Sequence, residues 1–263
     1  HHNPIRKGLG IPEITVESIV NEIMQNSEEF KPFINNIWLE LDEIQKENKN
    51  ILFEGAQGVL LDIDHGTYPF VTSSNTISPQ AAIGSGVGHI KNSFVLGITK
   101  SYCTRVGKGP FPTEQKNHIG EKLGQRGNEF GTVTGRKRRC GWLDAVLLKQ
   151  AVKISGLEGI ALTKLDVLDT FDKIKICVGY KYKGKKYDYL PSFLDNFENM
   201  EKEYLELEGW MESISGCRKY SDLPQNAKNY ISKIEEIIGV PITLLSTSPE
   251  REDTILFKDP FKP

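Results

Sequence analysis

Four short apolar runs in this chain each break off into a polar stretch. Ile51-Leu52-Phe53 enters Glu54-Gly55-Ala56-Gln57-Gly58. Phe94 to Thr99 leads into a glycine-rich stretch over 104–141. Ile160 to Thr163 stops at Lys164-Leu165-Asp166, and Ile242 to Leu245 stops at Ser246-Thr247-Ser248. Short apolar runs bounded by turn residues read as buried strands. Helical patterns lie between them, at Trp142 to Ile154 and at Pro224 to Ile238, the latter closed by Gly239. Strands alternating with helices argue an α/β fold. Ligands in open α/β sheets gather at the carboxyl ends of strands, so four polar strand ends predict one composite site.

The rest of the chain fills in around that frame. Val16, Ile19, Val20 and Ile23 recur at helical spacing, as do Ile34, Ile37, Trp38 and Leu41, which predicts two helices over 11–48. Residues 1–49 read as a helical segment and 50–263 as an α/β portion. Residues 62–90 are rich in Gly, Ser, Thr, Asn and Pro. A connection longer than ~12–15 residues is usually functional. Ile174 to Tyr182 and Lys186 to Leu190 predict a hairpin across Lys183-Gly184-Lys185, and Thr254 to Phe257 a last strand. The acidic run over 198–208 reads as a solvated face.

Composition excludes several classes. Lys plus Arg number 33 and Asp plus Glu 35, a formal net charge of −2 that offers no global field for nucleic acid or a membrane surface. Anion binding must come from a local cluster. No apolar run approaches the ~18–20 residues a membrane span needs. The four cysteines, Cys103, Cys140, Cys177 and Cys217, form no Cys-x-x-Cys pair, so a structural zinc site is not expected. Scattered thiols in a chain of this length point to a reducing, cytoplasmic compartment, and the start His1-His2 shows no signal-peptide pattern.

Several constellations carry chemistry, each with a bland alternative beside it. Gly131-Thr132-Val133-Thr134-Gly135-Arg136-Lys137-Arg138-Arg139 sets four consecutive cations next to hydroxyls and glycines. Guanidinium forks match phosphate and carboxylate; a solvated basic turn or a nucleic-acid contact is the alternative. Lys164 and Asp166 follow a strand, where a carboxylate can accept the N1–H and N2 amino group of guanine and a lysine stem can cover the base. Adenine would leave that carboxylate unpaired. Gln57, between Gly55 and Gly58, can both donate and accept at the edge of a base, or sit idle in a loop. Asp62, Asp64 and His65 form an Asp-x-Asp-His cluster for metal or proton chemistry, or carboxylates satisfying turn amides. Thr72-Ser73-Ser74-Asn75-Thr76 reads as a phosphate nest or a capped turn.

The segments ILFEGAQGVLLDIDHGTYPFVTSSNT, TRVGKGPFPTE, GNEFGTVTGRKRRCGWLDAV, LTKLDVLD, GVPITLLSTSPERE and the terminal KDPF occur in this order from about residue 50 onward. Together they closely resemble the adenylosuccinate synthetase family. The resemblance implies a mainly parallel central sheet with flanking helices, in a cytoplasmic homodimer. The implied reaction joins IMP and L-aspartate at the expense of GTP with Mg²⁺, through a 6-phosphoryl-IMP intermediate in AMP biosynthesis. It assigns Gln57 a catalytic place at the IMP base, Thr72 the IMP 5′-phosphate, and Val106 a place near the ribose. Thr132, Val133, Thr134, Gly135, Arg136, Lys137 and Arg138 become the aspartate loop, with Arg136 facing both aspartate and IMP and Arg138 reaching towards GTP. Lys164, Leu165 and Asp166 become the guanine-reading segment, and Ser246, Thr247 and Ser248 a second guanine-side loop.

Departures from the family pattern are local at three places. Val133 stands where threonine is usual, Ser248 where glycine is common, and Ile77-Ser78-Pro79-Gln80 replaces Thr-Ala-Gly-Gly. A fourth is larger: the family's phosphate-binding segment Gly-Asp-Glu-Gly-Lys-Gly-Lys does not occur in this sequence, nor does any Gly-x-x-x-x-Gly-Lys-Ser/Thr. The resemblance therefore implies a C-terminal portion. The catalytic aspartate, a catalytic histidine and the Mg²⁺ ligands are expected in an N-terminal part, no metal ligand is expected here, and these 263 residues alone are expected to be inactive. Two rivals use the same residues: a guanine-sensing module without turnover, and a nucleic-acid binder through Arg136 to Arg139. The lack of interleaved aromatics weighs against the second.

Overall fold

The structure is a computed structural model that describes residues 1–88, 93–131, 135–191 and 199–262. Thr132, Val133 and Thr134 of the expected aspartate loop lie outside the described residues. The chain divides into two compact units, residues 1–51 with 82–88, and residues 52–81 with the described part of 89–263.

The first unit contains α1 (His2–Gly8), α2 (Val16–Gln25), α3 (Ser27–Phe30) and α4 (Ile37–Lys46). The Thr15 hydroxyl accepts the Ser18 N–H at 3.1 Å and so caps α2. Where periodicity alone predicts two helices, the chain inserts α3 and a 3₁₀ turn at Lys31–Phe33. Pro32 lacks the N–H that a continuing α-helix needs. Val16, Ile19, Val20 and Ile23 are exposed, as are Ile37 and Trp38. The 3.6-residue pattern thus forms the expected apolar stripe and leaves it uncovered.

α5 (Gln80–Ser85) crosses from one unit to the other. The second unit then runs β1 (Leu96–Lys100), β2 (Cys103–Arg105), α6 (His118–Arg126), β3 (Arg139–Gly141), β4 (Leu143–Asp144), α7 (Ala145–Ser155) and β5 (Gly159–Thr163). It continues through β6 (Lys173–Tyr182), β7 (Lys185–Tyr187), β8 (Glu201–Glu208), α8 (Gln225–Ile238), β9 (Ile242–Ser246) and β10 (Thr254–Leu256). The fold is α/β. Its main sheet has the order β1-β5-β9-β10, with β1, β5 and β9 parallel and β10 antiparallel at the edge. Ile160, Leu162, Ile242 and Leu245 from β5 and β9 are buried in one core with Leu148 and Val152 of α7 and Ile231, Ile234 and Ile238 of α8. Near-continuous apolar strands covered by helices are the normal form of parallel sheets. Gly156 and Gly239 end α7 and α8 in the left-handed conformation, at φ 59° and 78°.

Four sequence expectations are corrected. Residues 51–56 form no strand, and Leu52 is exposed. Among the described residues no strand pairs with this run, and an apolar run without a partner has nowhere to place its backbone hydrogen bonds. The helix expected from Trp142 begins at Ala145, because Leu143 and Asp144 pair with Ile176 and Cys177 of β6 as β4. The Asp144 carboxylate then caps α7 by accepting the Leu147 N–H at 3.2 Å. The stretch 104–141 holds a helix, α6, capped by the Asn117 side chain. The acidic run, where described, is β8: it pairs antiparallel with β6, and its glutamates face Lys173, Lys175 and Lys186. Opposite charges on adjacent strands replace a merely solvated face.

Candidate functional site

In the main sheet the carboxyl ends of β1, β5 and β9 lie side by side, since Lys100 pairs with Thr163 and Leu162 with Leu245. Three polar segments therefore emerge at one edge: Ser101, Lys164 to Asp166, and Ser246 to Ser248. Lys164 adopts the left-handed conformation, φ 58°, which turns the chain sharply after β5. Its carbonyl accepts the Ser101 hydroxyl at 2.7 Å. Arg126, at the end of α6, donates to the carbonyls of Asp166 and Val167, each at 2.8 Å. The backbone of the turn is thus held from both sides.

Asp166 is the exception within this bonded turn. Its Oδ1 is buried and accepts no hydrogen bond, and burial pushes the carboxyl above its ordinary value. A buried acceptor without a donor is costly unless a ligand supplies one. Leu165 is fully buried in the core, so only its backbone can meet a ligand. In the neighbouring segment Thr247 donates to the Cys217 carbonyl at 2.8 Å, and Ser248 donates to Asp253 at 2.7 Å while accepting the Glu250 N–H at 3.0 Å. The Ser248 hydroxyl is therefore built into this turn.

A second group of residues centres on Glu129, which no motif in the sequence singles out. Its side chain is fully buried, yet it accepts from Lys100 at 2.8 and 2.9 Å, from Tyr102 at 2.5 Å, from Arg138 at 2.8 Å and from Lys164 at 3.3 Å. Burial alone would raise this carboxyl. The bonds from Lys100, Tyr102 and Arg138 outweigh it and hold the group at about 2. Lys164 also reaches the Gly127 carbonyl. Three cations on one carboxylate leave a surplus of positive charge beside the strand ends.

The basic run is organised rather than splayed. Arg139 makes a bidentate pair with Glu114 at 2.8 and 2.6 Å and donates to the carbonyls of Gly107 and Gly109. Gly131 donates to the Arg136 carbonyl, Gly135, at φ 60°, donates back to that of Gly131, and Lys137 bridges to Phe130. These contacts close the ends of the segment that holds residues 132–134. Gly135, Arg136 and Lys137 are exposed. Lys137 and Arg138 line a polar hollow of ≈ 250 Å³ with Glu114, Lys116 and Asn117.

The third group lies on the loop after residue 56. Gln57, at φ 69°, donates to the Thr72 hydroxyl at 3.2 Å. Asp62 is buried and accepts the N–H groups of Asp64, His65 and Thr76 at 2.9, 3.0 and 2.6 Å. Burial raises this carboxyl, and the three amides with Asn75 lower it further, to about 2. The Asp-x-Asp-His cluster is accordingly the organiser of a turn. Among the described residues no three His, Cys, Asp or Glu converge to hold a metal. Arg105 joins this loop to the basic segment: it donates to the Thr67 hydroxyl and the Phe70 carbonyl, both at 3.0 Å, while its backbone pairs with Arg139. Val106, the next residue, is exposed.

The structure thus links Gln57 with Thr72, and Arg138 with Lys164, and ties the two groups through the β2–β3 ribbon. Sequence reasoning missed Glu129, Lys100, Tyr102, Arg105 and Arg126. The Asn-Glu-Phe-Gly stretch was visible, but nothing in its spacing marks a residue whose partners lie 9 to 35 positions away.

Fold and site together define an α/β protein that gathers polar groups at the carboxyl ends of parallel strands. This chain belongs to the adenylosuccinate synthetase family, whose sequence model matches residues 1–255. The structure is similar to that of the fully ligated adenylosuccinate synthetase from Plasmodium falciparum, with a TM-score of 0.89 and 38% identity over 96% of this chain and 61% of that one. The chain thus spans about three fifths of that relative's length. A succinoaminodeoxyadenylate synthetase of cyanophage S-2L, bound to dGMP and dATP, shares the fold at a TM-score of 0.53 and 16% identity, over 85% of this chain and 51% of that one.

Proposed function

We propose that this chain carries the guanine-, IMP- and aspartate-recognition part of an adenylosuccinate synthetase. The enzyme would be a GTP-dependent ligase that makes adenylosuccinate, GDP and phosphate from IMP, L-aspartate and GTP. In this reading the γ-phosphoryl group moves to the purine 6-oxygen, and the aspartate amine then displaces it as phosphate. Family membership supports the reading. So does the buried, unpartnered carboxylate oxygen of Asp166 beside Lys164, the observation that carries it. Guanine brings two adjacent N–H donors to such an acceptor, and adenine brings none in that arrangement.

The other roles follow from the same reading. Gln57, steadied by Thr72, meets the edge of the IMP base, and Thr72 lies at its 5′-phosphate. Val106 offers backbone near the ribose. Thr132 to Arg138 form the aspartate loop, with Arg136 between aspartate and IMP and Arg138 reaching towards GTP. Ser246 to Ser248 flank the guanine. Catalysis here is positioning and charge neutralisation. The reading carries with it a cytoplasmic homodimer, AMP biosynthesis and the use of Mg²⁺ through residues outside this sequence.

Calorimetric titration of the chain with GTP, ATP and IMP tests it. Binding of GTP and IMP with ATP at least tenfold weaker is the expected result. Equal binding of GTP and ATP, or no binding of either, contradicts it.

A further inference from the structure

Glu129 stands between two segments to which the proposed function gives different ligands. Lys164 belongs to the guanine side and Arg138 to the loop that faces aspartate, from which it also reaches towards GTP, and both bond the same buried carboxylate. The connection is also covalent and short. From Arg126, which grips the Asp166 and Val167 carbonyls, the chain passes Gly127, whose carbonyl takes Lys164, to Glu129 itself. The Glu129 carbonyl then accepts the Arg138 N–H at 2.9 Å. Tyr102 and Lys100 hold the carboxylate from the β1 side.

We propose that Glu129 is a positioning residue that couples the guanine-reading segment 164–166 to the substrate-facing segment 136–138, so that filling one orders the other. The inference rests on the proposed function for the identity of the two ligands. A buried carboxylate serving several cations is a costly device, and apolar replacements of such clusters often fold as well or better. Here every partner is satisfied, and the two cations that matter come from different segments, one after β5 and one before β3. A guanine nucleotide that fixes Lys164 fixes Glu129 in turn, and Arg138 meets its ligand already placed. By reciprocity, aspartate tightens guanine nucleotide by the same factor.

Calorimetry with GDP and L-aspartate as probes, in the presence of IMP, tests the coupling. The ratio of aspartate dissociation constants without and with saturating GDP is expected to be about tenfold in the unsubstituted chain and to fall to one in Glu129→Gln. A purely structural role would weaken each affinity and leave the ratio standing. Tyr102→Phe removes one neutral bond to the carboxylate and no charge; should Glu129→Gln fail to fold, this variant is expected to lower the ratio. Guanine-selective binding with a ratio of one in the unsubstituted chain, or a ratio unmoved by the folded variant, overturns the coupling alone. Absence of guanine-selective binding overturns the proposed function and the coupling with it.

Discussion

Glu129 and Asp62 are buried carboxylates held ionised by their neighbours, and both titrate at about 2 in the folded chain against ordinary values of 4.5 and 3.8. Their folded pKa values are depressed, so the stability they contribute is complete above about pH 4.5 and lost as pH falls towards 2. Denaturant unfolding between pH 6 and pH 3 is expected to show that loss. In the double variant Glu129→Gln, Asp62→Asn the curve is expected to flatten, and an unchanged slope would reject the assignment. The two residues differ in how they could be seen beforehand. Asp62 sits in a local turn, where a carboxylate two and three residues before free amides is a readable signal. Glu129 takes its side-chain partners from β1, β5 and the end of the basic run, and no local pattern encodes that. Asp166 was legible as chemistry, a carboxylate after a strand, but its missing donor is a property of the packed chain alone.

At the scale of elements, the most plainly legible strands are the apolar runs at the centre of the sheet, while β7 and β10 were marked by turn signals and position. β5 carries Ile160-Ala161-Leu162 and β9 carries Ile242, Leu244 and Leu245, and the two strands lie at the centre of the main sheet. Leu162, fully buried in β5, is expected to cost about 2–5 kcal/mol on truncation to Ala by loss of contacts and creation of a cavity. Equilibrium unfolding measures this, and a loss below about 1 kcal/mol would mean that β5 is not central. β4 was illegible because two residues show no period, and its role as the start of α7 appears only when β6 is beside it. α6 was hidden by Gly120 and Gly124, which lower helix propensity. The packing requires Gly120: a Cβ there would lie 1.9 Å from the Gln115 carbonyl oxygen. β8 was hidden by its charge, which reads as solvated until the lysines of β6 and β7 are placed opposite.

For the whole molecule, net charge near neutrality and an internally paired basic run lead to the same reading. Arg138 and Arg139 place their guanidiniums on Glu129 and Glu114, while Arg136 and Lys137 are exposed. No helix among the described residues is long and apolar enough to cross a membrane. What remains is a set of polar strand ends, to which the proposed function gives small anionic ligands and a base-choosing carboxylate at 166. The central claim is that this carboxylate reads guanine. Measuring GTP and ATP affinities in the unsubstituted chain and in Asp166→Ala tests it most directly. Each lost charged hydrogen bond is worth about 1.5–3 kcal/mol, so the preference for GTP is expected to shrink at least tenfold, with ATP binding little changed. A GTP preference that survives Asp166→Ala intact would contradict the account.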